Sequence, residues 1–240
     1  MVATAQFHTS IDKDMKPNKH STPKALPRQE GVRSKKIHYL IVCEGTETEP
    51  NYFENFIKGD RLSRVVGAGR VTLSLVEYVS TLNNLESFDR IWVVFDEDDD
   101  KNFNKAIEKC HNLGFEAGWT NEAFELWLYL HFEQLNNAIK RAAYIDKLET
   151  FIRKHKGFEK FKYDKNNKSL YAIVRDLGDE ETAIKRAKNL RKIVLTNNYK
   201  LSKPCTTIDI LVEELRNPET LLKKLDNLKE GEKLLETKFF

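Results

Sequence analysis

The spacing of apolar positions changes character once along the chain. From Ile37 to about His131, short unbroken apolar runs alternate with amphipathic stretches; beyond His131 only the amphipathic period continues. "IHYLIVCEG" predicts a strand that ends in an acid and a glycine. "TETEPNYFENFIK" predicts a helix, with Thr48 able to cap it, Pro50 in its first turn, and Tyr52, Phe53, Phe56 and Ile57 as its buried stripe. A second strand is expected near Arg64–Val66, followed by the turn "GAG" and a helix through "VTLSLVEYVSTL". "RIWVVFD" is apolar on both faces, as suits the centre of a covered parallel sheet. "FNKAIEKCHNLG" reads as a helix stopped by Gly114, "FEAGWT" as a fourth strand, and "NEAFELWLYLHF" as a helix capped by Asn121.

Alternation of this kind predicts an α/β fold, a doubly wound, mainly parallel sheet of about four strands. "YIDKLETFIRKH", "SLYAIVRDL", "EETAIKRAKNLRKIVL" and "TTIDILVEEL" then predict a C-terminal helical lobe. The expected organisation is a disordered basic arm over 1–36, an α/β domain over 37–135 and a basic helical lobe over 136–240. The arm holds three prolines and no apolar period.

Composition narrows the class of protein. The chain has 240 residues, of which 40% are hydrophobic and 32% charged, enough for a full core under a charged surface. No apolar run approaches a membrane span and the N-terminal stretch lacks the apolar core of a secretory signal, so a cytoplasmic protein with no membrane partner is expected. Cys43, Cys110 and Cys205 are far apart with no CxxC pair, which suits reduced thiols and argues against a structural zinc site. The six histidines show no metal-ligand spacing.

The net charge of +3 conceals a strong asymmetry. Residues 37–139 carry 8 basic and 18 acidic side chains, and residues 140–203 carry 18 basic and 8 acidic ones. Such a division suits a protein that holds cations with one part and a polyanion with the other, or two solvated surfaces that merely differ.

The acids concentrate where a parallel sheet binds ligands, at the carboxyl ends of its strands. The first strand delivers Glu44 there. The third runs into "DEDDD", where Asp96 and Asp98, two apart on an extended chain, point the same way. Crowded carboxylates destabilise a fold unless a cation sits among them, and hard oxygen donors of this kind suit Mg²⁺ or Mn²⁺. Asp99 and Asp100 are as readily explained by loop solvation. Glu49 is either a first-turn acid favoured by the helix dipole or a second ligand beside Glu44. Glu47 reads as a loop acid. Glu125 lies in so apolar a helix that a lone carboxylate there needs a partner or a metal. His131 could simply cap the end of that helix. From the basic half, Lys165 in "YDKNNKSLY" is the candidate phosphate contact, with a solvated loop lysine as the plainer explanation; Tyr163 beside it reads equally well as core. The GxxxxGK[ST] loop is absent, which argues against ATP binding by that route.

"LIVCEGTETEPNYFENF", "IWVVFDEDDDKNFNKAIEKC" and "NEAFELWLYLHF" together resemble the RloB-like family, which has abortive-infection relatives such as AbiLii and looks like a branch of the Toprim superfamily. The likeness is specific from about Ile37 to Phe132 and weaker through "KPCTTIDILVEEL". It implies a Toprim-like fold, Glu44 as the Toprim glutamate (general acid/base or metal ligand), and Asp96 and Asp98 as its Mg²⁺-binding DxD pair. Glu49 and Glu125 join Glu44 as candidate catalytic acids. One position departs from the family pattern: after Asn121, where proline is frequent, this chain has Glu122. The resemblance further implies a metal-dependent nuclease of antiphage defence, acting on RNA, tRNA or DNA and accompanied by an ABC- or AAA-type ATPase. Its rivals are a non-catalytic subunit that binds nucleic acid or the ATPase, and an enzyme of small nucleotides.

Overall fold

A computed structural model describes residues 36–97, 101–192 and 198–229, with side chains described as far as Lys223. The predicted basic arm, and Asp98, Asp99 and Asp100 with it, lie outside the described residues. Four strands, β1 (Tyr39–Cys43), β2 (Arg64–Gly67), β3 (Arg90–Glu97) and β4 (Glu116–Asn121), form one sheet in the order β2-β1-β3-β4. Every pairing is parallel: Cys43 stands opposite Gly67 on one side and Val94 on the other, and Asp96 stands opposite Thr120. From β1 the chain steps outward to β2, then returns past β1 to β3. The strand order therefore reverses between β1 and β3, and the carboxyl ends of those two strands flank the crevice.

Helices cover both faces, the doubly wound arrangement that continuous apolar strands demand. On one face Leu40, Val42, Val93 and Phe95 pack against α2 (Thr72–Ser80) and α3 (Phe103–Asn112). On the other, Ile41, Cys43, Trp92 and Val94 pack against α1 (Thr48–Phe53), α4 (Glu125–Leu130) and α8 (Ile208–Arg216). The same apolar cluster takes in Tyr144 and Leu148 of α5 (Arg141–Ile152), Val174 of α6 (Leu170–Leu177) and Ala183 of α7 (Glu180–Arg191). A last helix, α9 (Pro218–Lys229), follows α8 and carried no clear signal in the sequence. Among the described residues no helix is long and apolar enough to cross a membrane.

Two predicted helices are shorter than their periodicity implied. α1 stops at Phe53, and Phe56 stays in the core through a turn that sets it against Tyr52 and Tyr171. Thr48 is the first residue of α1 and not its cap; the capping position is Glu47, without a side-chain hydrogen bond. Asn121 does not cap α4 either. It is the last residue of β4, in register with Glu97, and its N–H donates to the Cys205 carbonyl at 2.9 Å. Tertiary pairing outbids the local capping preference. Glu122 then turns the chain with φ +69°, a left-handed conformation closed to proline, so the departure from the family pattern comes with a backbone that proline could not share.

The helical part is tied down by charge as well as by apolar packing. Asp209 is fully buried at the start of α8, and the guanidinium of Arg191 from α7 grips both its oxygens, Nη2 at 2.6 Å from Oδ2. Arg191 also donates to the Thr206 carbonyl at 2.8 Å. Removing one partner of such a pair strands the other. We expect Asp209→Ala to lower stability in urea denaturation by about 3 kcal/mol, and Arg191→Met with Asp209→Leu to recover most of that loss.

Candidate metal and phosphate site

The crevice at the switch point holds a cavity of about 230 Å³. Its walls come from the loop after β1 (Glu44, Gly45, Glu47), from Thr48 and Glu49 at the start of α1, and from Asp96, Glu125, Arg141 and Lys165. Each acid arrives by a different route. Glu44 leaves the end of β1 with its N–H bonded to the Val94 carbonyl at 2.8 Å, and its Oε2 accepts the Thr72 N–H at 2.9 Å. Thr72 donates from a left-handed backbone, φ +32°, a strained geometry for a β-branched residue that aims the start of α2 at this carboxylate. Asp96 comes from the penultimate residue of β3, on the face shared with Val94, and its Oδ2 accepts the Phe124 N–H at 3.1 Å. Glu125 opens α4, and its Oε1 accepts the Tyr163 hydroxyl at 2.8 Å. Glu49 folds back over Gly45: a Cβ at that glycine would lie 2.3 Å from Oε2, so a side chain there would push this carboxylate aside.

Arg141, the first residue of α5, stands among these acids. Its Nη2 donates to Asp96 Oδ2 at 3.0 Å and reaches the Glu122 carbonyl at 3.4 Å, and its Nε lies 3.6 Å from Glu125 Oε2. Lys165 is exposed on the rim. The carbonyl of Lys165 and the hydroxyl of Tyr163 each lie 3.5 Å from Thr48 Oγ1, which brings the basic stretch up to the loop after β1.

Crowding shows in the protonation equilibria. Burial, then the Glu49 and Glu125 carboxylates, hold the Asp96 carboxyl well above the usual range, against the pull of Arg141 and the Phe124 N–H. Burial and then Glu125 raise Glu49 likewise, with Arg141 and Lys165 opposing. The Cys43 thiol beneath is pushed up by burial and by the same two acids, Glu49 and Asp96, so it is no thiolate nucleophile.

Five candidates from the sequence thus meet in one place: Glu44, Glu49, Asp96, Glu125 and Lys165. Asp98 lies outside the described residues. Glu47 is exposed on the cavity's edge. His131 does not join them. It is buried at the end of α4, edge-on to Trp127 at 4.8 Å with Nδ1 3.0 Å from the Trp127 carbonyl, and burial depresses its pKa to about 4. Two members escaped the sequence. Nothing in "NAIKRAAY" marks Arg141 as the partner of an aspartate 45 positions away, and Tyr163 read equally well as core. Glu97 is turned by strand alternation to the other face, fully buried, with Lys203 Nζ at 2.5 Å and Lys200 Nζ at 3.4 Å.

Tested against a divalent ion, the donor chemistry fits: hard carboxylate oxygens from separate segments, with room between them. Among the described residues no three His, Cys, Asp or Glu side chains yet stand at ligand spacing, and the cation already bonded to Asp96 is Arg141.

The raised acids make stability depend on pH in a definite direction. A carboxyl whose folded pKa is raised binds its proton more tightly in the folded state, so it destabilises the fold as pH rises above the ordinary carboxylate range. We expect Asp96→Asn, which keeps an acceptor for Phe124 N–H, to gain stability relative to the parent at pH 8 without added metal. The difference should shrink towards pH 4. Urea melts of both chains at each pH measure it, and the comparison cancels the opposite contribution of buried His131.

Neither a curated protein nor a solved structure matches the chain. The family model described as RloB-like protein matches residues 39–215, from the start of β1 almost to the end of α8, and the chain belongs to the RloB-like family.

Proposed function

We propose that this protein is a Mg²⁺- or Mn²⁺-dependent nuclease of Toprim type, hydrolysing RNA or DNA phosphodiester bonds in antiphage defence. The observation that carries the reading is the convergence of Glu44, Glu49, Asp96 and Glu125 on one cavity between the carboxyl ends of β1 and β3, with Lys165 at its mouth. A crowd of carboxylates is costly to a fold and useful to a cation-dependent enzyme.

Asp96 and Glu44, with Asp98, are the residues that would hold the ion. It would supply Lewis-acid polarisation of the scissile phosphate and offset the charge that grows during in-line displacement. Glu49, whose carboxyl takes up a proton more readily than an ordinary glutamate, is suited to accept one from the attacking water, while the leaving sugar oxygen on the opposite side of the phosphorus takes its proton from solvent. Glu125, fixed by Tyr163, keeps the wall of the cavity acidic. Lys165 meets the phosphate at the rim. Arg153, Lys154, Lys156, Lys160, Lys162 and Lys168 are all exposed in the stretch of chain around Lys165, a concentration of positive charge suited to phosphates. Defence biology and an ABC- or AAA-type ATPase partner come from the family resemblance and belong to this proposal with it.

The test is cleavage of labelled RNA, tRNA and DNA by the purified protein with Mn²⁺ or Mg²⁺, alone and with the partner ATPase. We expect Asp96→Ala and Glu44→Ala each to lose cleavage about 10²-fold or more. Retained nucleic-acid binding with no cleavage under any of these conditions would favour the non-catalytic subunit instead. We also expect Lys165→Ala to weaken binding on every sequence alike and to lower the salt slope, log K against log salt, by about 1.

A further inference from the structure

Arg141 sits where the proposed ion would be needed, and its surroundings say what it does there. Its guanidinium bonds to Asp96 Oδ2 at 3.0 Å and approaches Glu125 Oε2 at 3.6 Å, the two most deeply buried acids of the cavity. Among the described residues, the other hydrogen-bond donors to these carboxylates are the Phe124 N–H for Asp96 and the Tyr163 hydroxyl for Glu125. A third of the Arg141 side chain is exposed, and it reaches the cavity from the first residue of a twelve-residue helix. A planar guanidinium can bridge two carboxylates, and once released it can turn the same fork to phosphate oxygens.

We propose that Arg141 is a built-in counter-cation that exchanges with the divalent ion at Asp96. This rests on the metal-dependent reading and adds to it. Without the ion, Arg141 neutralises the acids and keeps the fold intact. When the ion binds, two cations compete for one carboxylate oxygen, and the singly charged, tethered one gives way. Its release leaves a fork-shaped donor on the wall of the cavity that Lys165 also lines. Arg141 is then a positioning residue whose two arrangements are set by the metal.

Titration calorimetry with MnCl₂ on the full chain tests the exchange without any assay of cleavage. The parent is compared with Arg141→Gln, with Arg141→Lys and with Lys140→Gln, whose lysine pairs with Glu122 at 2.9 Å. Removing the competitor should tighten Mn²⁺ binding by about tenfold or more in Arg141→Gln, with Arg141→Lys between it and the parent. Thermal melts should show Arg141→Gln less stable than the parent without metal and gaining more from Mn²⁺. Should Arg141→Gln not fold without metal, Arg141→Lys carries the comparison, since its point charge cannot fork between Asp96 and Glu125. Unchanged or weaker Mn²⁺ binding in the folded Arg141 variants, with uptake in the parent, overturns the exchange and leaves the metal site standing. Equal tightening in Lys140→Gln overturns it as well, since bulk charge would then explain the effect. No uptake by any of the four chains overturns both the exchange and the metal-dependent reading.

Discussion

Everything near the cavity answers to one constraint: carboxylates brought together at the end of a parallel sheet must be offered positive charge. The protein meets it with what lies closest. Backbone N–H groups of Phe124 and Thr72 reach Asp96 and Glu44, the Tyr163 hydroxyl reaches Glu125, and the Arg141 guanidinium shares the Asp96 oxygen with Phe124 while approaching Glu125. These donors come from four segments that are far apart in sequence. The acids can therefore coexist only when the sheet, α2, α4 and α5 are all in place. Site and fold are the same cooperative object here.

Much of this was legible because strand signals and acids coincide in the sequence. An apolar run that stops at Glu44 and another that stops at Asp96 can hardly be anything but buried parallel strands, and the carboxyl end of such a strand is where ligands gather. The four strands and most helices follow from the same periodicities. What the sequence hid was decided by distant contacts. Asn121 has the chemistry of a cap, yet the register of β4 with β3 and the Cys205 carbonyl claim it for a strand. Arg141 looks like any surface arginine until α5 is folded against α4. Glu97 sits in a run of acids that reads as one patch, whereas the pleat sends it away from Asp96 to lysines on the far side.

Of the three non-glycine residues with left-handed backbones among the described residues, two have a main-chain group at the cavity and the third, Asn84, lies in the connection between α2 and β3. Thr72 and Glu122 both take left-handed backbones that L-residues avoid, and each places a main-chain group at the site: the Thr72 N–H on Glu44, the Glu122 carbonyl near Arg141. At Gly45 the Glu49 carboxylate occupies the space a side chain would take. Strain at Thr72 and Glu122 accords with surroundings that over-determine each group, the condition a reactive site requires.

Glu97 and Asp96 are joined by a single peptide unit but look out on opposite sides of the sheet. Lys203, which grips Glu97, belongs to the connection between α7 and α8, and that connection also bonds to the end of β4 through Cys205. The two carboxylates on either side of that peptide unit are thus answered by different parts of the chain, Arg141 of α5 at the front and Lys203 at the back, so neutralising one leaves the other untouched.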